Sequence, residues 1–304
     1  MPGDLVTTGV LRDLRAALDD GGLRGSFLVR DLDSGDELGI DADVEFPAAS
    51  LVKVPLAVAT LERVERGELD PAARVEVAPG RSTIPGPTGL SKFRHPVSVA
   101  VDDLLYLSTS LSDSVAADAL FALTPPAAVT AELRRLGYDG IAVRHVMQDL
   151  VETPAERFAP GETHLAHSLA ITAATRGRGH PVPQLDISLA NAGSARAFVD
   201  LLHGLWRPTT TAPAVAARVR QLMRDNVLRH RLAPDFMSDA TRWSSKTGTL
   251  LNLRHEVGVV EHADGRAYAV AAMTESRVPA VVQPGAEALM AQVARTLRDR
   301  LRAY

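Results

Sequence analysis

The chain has 304 residues, 46% of them hydrophobic and 23% charged, with a formal net charge of −4; these are ordinary values for a globular protein with a sizeable core. Aromatic residues at 4% argue against a base-stacking surface, and with no basic stripe nucleic acid is a poor partner. The absence of cysteine removes disulfides, thiolate nucleophiles and cysteine metal sites at once.

In chain order, Val10 to Asp19 has helical apolar spacing and stops at Gly21-Gly22. Ser26 to Leu32 and Glu37 to Ile40 read as strands joined by a Ser34-Gly35 turn. Ser50 to about Arg66 is helical again and closes at Gly67. Arg81 to His95, rich in Gly, Pro and Ser, reads as an ordered loop or flap. Helices follow at Val101 to Leu107, Val115 to Leu123 and Ala127 to Leu136, and Asp149 to Ile187 gives no clear pattern. Two more helices, Ser194 to Leu205 and Pro213 to Asn226, precede strands at Trp243 to Thr249, Glu256 to Glu261 and Ala267 to Thr274, the last two joined at Asp264-Gly265. A long amphipathic helix, about Gly285 to Arg302, ends the chain.

This order predicts an α/β (α+β) fold. Strands from both ends join one antiparallel sheet flanked by the terminal helices, with an all-α domain inserted. The expected division is 1–49 with 235–304 for the sheet domain and 50–234 for the helical insertion. Apolar runs such as Val54 to Thr60 are too short to span a bilayer, so no membrane partner is expected. Met1 to Leu5 has neither a basic nor an apolar leader region; as written the chain reads as cytoplasmic, or as secreted if a leader has been removed. The sequence is silent on oligomeric state.

Three short motifs carry the chemistry. Ser50-Leu51-Val52-Lys53 opens an apolar helix, where unpaired N–H groups and the helix dipole favour negative charge. Residues three apart share a helical face, so Lys53 can reach the Ser50 hydroxyl, and a lysine in a dry pocket can accept a proton. The bland reading makes Ser50 an N-cap and Lys53 a solvated residue. Ser112-Asp113-Ser114 lies between two helices, and Lys246-Thr247-Gly248 lies on a strand.

These three motifs in this order, with Ser-Asp-Ser in place of the usual Ser-Asp-Asn, resemble the Ser-x-x-Lys, Ser-Asp-Asn and Lys-Thr-Gly set of the class A β-lactamase and penicillin-binding serine hydrolase family, and the resemblance covers nearly the whole chain. Phe46-Pro47-Ala48-Ala49 before Ser50 and Val101-Asp102-Asp103-Leu104-Leu105 before Leu111-Ser112-Asp113 fit it as well, as does Met223-Arg224-Asp225-Asn226 before the third motif. The resemblance implies an acyl-enzyme on Ser50, with Lys53 sharing in proton transfer. Ser112 would relay a proton to the leaving nitrogen, Lys246 would stabilise negative charge, and Asp113 would be structural. It places an oxyanion hole at the backbone N–H groups of Ser50 and Thr249, each donor contributing about 3–4 kcal/mol. Ser114, Thr247 and Gly248 join Thr249 on the substrate-binding side. No metal or organic cofactor is implied.

Two positions depart from the pattern. Ser114 stands where the family has asparagine, giving a shorter and differently bonding contact. No Glu-x-x-Leu-Asn sequence supplies the deacylating base; Asp149 or Glu152 are the candidates, with Glu156 close behind. The expected function is therefore a serine hydrolase acting on a β-lactam or related amide, its partner a small molecule with an amide or ester carbonyl. The alternatives are an esterase, amidase or acyltransferase on another small molecule, a slowly deacylating penicillin-binding protein, and a non-catalytic binding protein. Arg254 could fork onto a substrate carboxylate, although an exposed strand end explains Arg254-His255 as well. His164 and His167 share a helical spacing but lack a third ligand, and Arg176-Gly177-Arg178 reads as a solvated loop.

Overall fold

The computed structural model describes residues 2–78, 88–153, 158–175, 178–280 and 282–303. The expected loop at 81–87, Glu156 and Arg176-Gly177 lie outside them. The elements run α1 Pro2–Asp20, β1 Leu23–Asp31, β2 Glu37–Ile40, β3 Glu45–Pro47, α2 Lys53–Glu65, β4 Arg74–Val77, β5 Val97–Ala100, α3 Val101–Thr109, α4 Ser114–Leu123, α5 Pro126–Arg135, β6 Ile141–Ala142 and α6 Met147–Val151. They continue with α7 Thr163–Ile171, β7 Ala192–Ser194, α8 Ala195–Trp206, α9 Pro213–Arg224, α10 Ala233–Phe236, β8 Thr241–Leu250, β9 Leu253–His262, β10 Ala267–Ser276 and α11 Pro284–Arg302. Ser50 lies on a 3-10 turn, Ala49–Val52, just ahead of α2 rather than inside that helix.

The main sheet has the order β2-β1-β10-β9-β8 and is antiparallel throughout, as expected from strands at both chain ends. β10 lies in the middle with α11 over one face and α8 over the other, and it is buried along its whole length. Its alternation sorts the core. Tyr268, Val270 and Ala272 join α1, α10 and α11 on one face; Ala267, Ala269, Ala271 and Met273 join α8 and the helical half on the other. The second core is continuous from β10 through α8 to α2, and α2 is buried from Lys53 to Glu62 because helices surround it.

Two small sheets escape sequence reading, β3-β7-β6 and β4-β5, whose strands of two to four residues are too short to show a period. The first matters most, because β7 pairs with β3 and thereby holds the approach to Ser50. Among the described residues no single helix is long and apolar enough to cross a membrane.

Candidate active site

β8 is an edge strand, and the turn that carries Ser50 packs against it and its neighbour β9. A Cβ at Gly248 would meet the Ala48 carbonyl at 3.0 Å and Leu51 at 3.2 Å, so glycine is what lets the strand come this close. Ala49, directly before Ser50, has φ +46°, and Ser112 has φ +60°. Left-handed backbone at such residues costs roughly 1–2 kcal/mol each, and both positions border the site. Neither strain is visible in the sequence.

The approach to Ser50 is pinned from two sides. The Ala48 N–H donates to the Asn191 carbonyl at 2.6 Å. The Pro47 carbonyl takes a hydrogen bond of 3.0 Å from His255 Nε2, while His255 Nδ1 accepts from the Thr274 N–H at 3.1 Å. That second bond fixes the ring as neutral with its proton on Nε2. Burial of the ring, above all, holds the His255 pKa down to about 3.

Lys53 and Lys246 are both fully buried. Lys53 Nζ donates to the Ser112 carbonyl at 2.6 Å and to the Ser114 hydroxyl at 3.2 Å, with the Ser112 Oγ at 3.4 Å. Lys246 Nζ donates to the same Ser112 Oγ at 2.9 Å and to the Thr247 carbonyl at 2.8 Å. Two amines thus converge on one hydroxyl, whose own proton is left to point elsewhere. Desolvation lowers the Lys53 pKa to about 7, against upward pulls from Asp113 and Asp118. Lys246 is lowered well below its ordinary value, first by desolvation and then by Lys53 and Arg231. Among the described residues, no hydrogen bond joins Lys53 to the Ser50 hydroxyl.

Asp113 N-caps α4 through Val115 and Ala116 and accepts from the Ser91 hydroxyl and the Leu90 N–H, which fixes the height of Ser112 and Ser114. Thr247 is buried and Thr249 exposed, its Oγ1 accepting from Arg231 Nη2 at 2.6 Å. Arg231 is one residue that the sequence did not single out. It is buried, donates to the carbonyls of Gly248 and His255 at 2.9 Å each, and pairs with Glu287 at 3.0 Å.

The Arg254-His255 pair is not an exposed strand end. Both side chains are buried, and Arg254 donates to the carbonyls of Leu251 and Leu253 at 2.6 and 2.7 Å. Desolvation, with repulsion from Arg231, lowers its pKa to about 10. His167 is buried with its Nδ1 unpartnered, while His164 is exposed. No group of three or more metal-ligating side chains occurs among the described residues.

The second overlooked residue is Asp118, the one charged side chain of α4. Its Oδ1 accepts from the Met147 N–H at 2.6 Å and its Oδ2 from the Gln148 N–H at 2.8 Å. An acid alone on an otherwise apolar helix, four residues after Ser114, was the available signal. Asp149 and Glu152, by contrast, are exposed. Asp149 Oδ2 accepts from the Val146 N–H at 3.3 Å, and the backbone carbonyls of both take hydrogen bonds from Gln184. The arrangement brings Ser112, Ser114, Lys53 and Lys246 together, but not these two carboxylates.

A profile described as "Beta-lactamase enzyme family" matches residues 10–301. The chain belongs to the β-lactamase enzyme family. It is also 66% identical, over 99% of its length and all of the relative's, to the β-lactamase regulatory protein BlaB of Streptomyces cacaoi. Its fold is that of a β-lactamase from Chitinophaga pinensis (TM-score 0.75, 19% identity, 96% of this chain and 99% of that one). A mutant class A β-lactamase of the last common ancestor of Gram-negative bacteria (TM-score 0.75, 20% identity, 97% and 99%) has it too. So does a mutant of PBP-A in an acyl-enzyme complex with penicillin G (TM-score 0.73, 19% identity, 98% and 97%). The class A β-lactamase-like fold expected from the three motifs is thereby confirmed.

Proposed function

We propose that this family member is a penicillin-reactive receptor: a β-lactam or related cyclic amide acylates Ser50, and the acyl-enzyme is released slowly. The carrying observation concerns lysine. Of the 33 basic residues only three are lysines, Lys53, Lys92 and Lys246, and two of these three are fully buried around Ser112. Arginine serves everywhere else. Arginine keeps its proton in proteins, whereas desolvation brings Lys53 to about 7, so lysine at that position supports proton transfer over charge pairing.

In the proposed step, neutral Lys53 takes the Ser50 hydroxyl proton as Ser50 Oγ bonds to the carbonyl carbon. The tetrahedral oxyanion collapses with cleavage of the C–N bond. The leaving nitrogen takes the Ser112 proton, and Ser112 is reprotonated from the Lys53 ammonium, with Lys246 offsetting negative charge. Thr247, Gly248 and Thr249 line the edge strand on which the substrate lies, with Ser114 opposite. Slow release is supported by the solvent-facing positions of Asp149 and Glu152. A receptor role accords with the regulatory name of the Streptomyces cacaoi relative.

A second reading, a regulator that holds a ligand without acylation, is favoured by the missing bond between Lys53 and the Ser50 hydroxyl. The test is intact-protein mass spectrometry with benzylpenicillin, with a Ser50→Ala control, while drug loss is followed. A persistent adduct absent from the control supports the receptor. Rapid drug loss without a lasting adduct makes the chain a β-lactamase, and the absence of both adduct and drug loss overturns the acyl-enzyme reading.

A further inference from the structure

Asp118 is the α4 side chain that hydrogen-bonds to the start of α6. Ser114, which touches the Lys53 amine, opens α4, and Asp118 follows one turn later on the same face. Its carboxylate then spends one oxygen on each of the first two N–H groups of α6, Met147 and Gln148. These are orphan donors of a helix start, and no capping side chain other than Asp118 serves these two among the described residues.

We propose that Asp118 is a positioning residue that ties the α6 segment to the basicity of Lys53, so that the seating of residues 147–153 and the readiness of the proton acceptor are set together. The charge of Asp118 stabilises the Lys53 ammonium, and Lys53 in turn stabilises the Asp118 carboxylate. Desolvation nevertheless raises Asp118 to about 6, so the carboxylate is held at a cost that the two N–H groups and Lys53 only partly offset. From α6, Asp149 adds a like charge that opposes Lys53. The elements against α4 also carry Glu62, Arg63 and Glu65 on α2, Asp102 and Asp103 on α3, Arg74 and Glu76 on β4, and Lys92 on the turn before β5; none is hydrogen-bonded or ion-paired to Asp118. Displacing α6 would strip the carboxylate of both donors and change the field at Lys53. The passage of a proton through Lys53 during acylation would likewise be felt, while it lasts, at a surface helix. This last consequence rests on the acyl-enzyme reading, while the link itself does not.

The experiment uses the full chain as wild type, Asp118→Asn and Asp118→Ala. With only three lysines, ε-carbon NMR of labelled lysine follows Lys53 directly, without any ligand. Both variants remove the charge, so the Lys53 midpoint is expected to fall by about half a pH unit or more. Hydrogen exchange at the Met147 and Gln148 amides is expected to quicken by about tenfold in Asp118→Ala, and less in Asp118→Asn, which keeps one acceptor. The pH profile of adduct formation with benzylpenicillin moves to lower pH with the Lys53 midpoint. An unchanged Lys53 midpoint in the Asn variant overturns the proposal, as does unchanged exchange at 147 and 148 in either folded variant. If no adduct forms in the wild type while the midpoint and exchange change as stated, the acyl-enzyme reading fails and the link stands.

Discussion

The cluster formed by α2, α4 and β8 beside Ser50 and the α6 segment at 147–153 are neighbours of opposite construction. In the cluster, two buried amines and the hydroxyls of Ser112 and Ser114 bond to one another and to backbone carbonyls, so each position depends on the next. In α6 the polar groups face outward: Asp149 turns back to its own backbone, Glu152 is exposed, and the inward tie comes from Asp118 of the neighbouring helix. The side on which acylation is proposed is preorganised around Ser112, whereas the side from which a water would be activated offers no inward carboxylate from α6. A preorganised site works through groups already desolvated and aimed, and a carboxylate in water lacks both advantages.

Exchanging the proposed proton acceptor for a permanent cation should produce the largest effect on that contrast. Lys53→Arg keeps charge and much of the volume but cannot accept a proton, and Ser50 acylation is expected to fall by about 10²–10⁴-fold. Stopped-flow or quenched mass spectrometry measures this, and acylation within about threefold of wild type would mean that Lys53 only pairs charge.

The next effect is on stability. His255 is neutral in the fold with its pKa lowered from 6.5 to about 3, so the unfolded chain binds a proton there that the folded chain does not. The stability it contributes is present above pH 6.5 and is lost as the pH falls towards 3, a swing on the order of 5 kcal/mol. Denaturant titrations across that window should show a steep slope in the wild type and a shallower one in His255→Gln. Equal slopes would remove His255 from the account. Lys53 acts in another window: its pKa is lowered from 10.5 to about 7, so its burial lessens stability below pH 7 and that penalty fades as the pH rises towards 10.5.

The smallest expected effect bears most directly on the comparison. Asp149→Asn combined with Glu152→Gln should leave the lifetime of a Ser50 adduct within about twofold of the wild type, since neither carboxylate is presented inward. A lifetime lengthened by an order of magnitude would break the contrast and make one of them the deacylating base.

Much of the site is legible in the sequence because its chemistry is local. Ser50 and Lys53 sit one turn apart, and Lys246, Thr247 and Gly248 sit on a strand of ten residues long enough to show itself. Asp118 and Arg231 escaped because their partners, Met147 and Gln148 in one case and Gly248, Thr249 and His255 in the other, lie 17 to 30 residues away. A hydrogen bond to a distant backbone group leaves no period or spacing in the sequence. The same holds for β3, β6 and β7, whose two or three residues become strands only because they meet.

The order of the main elements, the antiparallel sheet drawn from both chain ends, and the three motifs with their order are all written in the sequence. They follow from hydrophobic period, turn residues and helical reach, which are properties of contiguous stretches. Tertiary packing was needed to establish that Arg254 and His255 are buried, that Ala49 and Ser112 adopt left-handed backbone, and that two lysines share one hydroxyl while Asp149 and Glu152 face solvent. Desolvation and strain arise when separate elements close on one another, so no single stretch of chain records them.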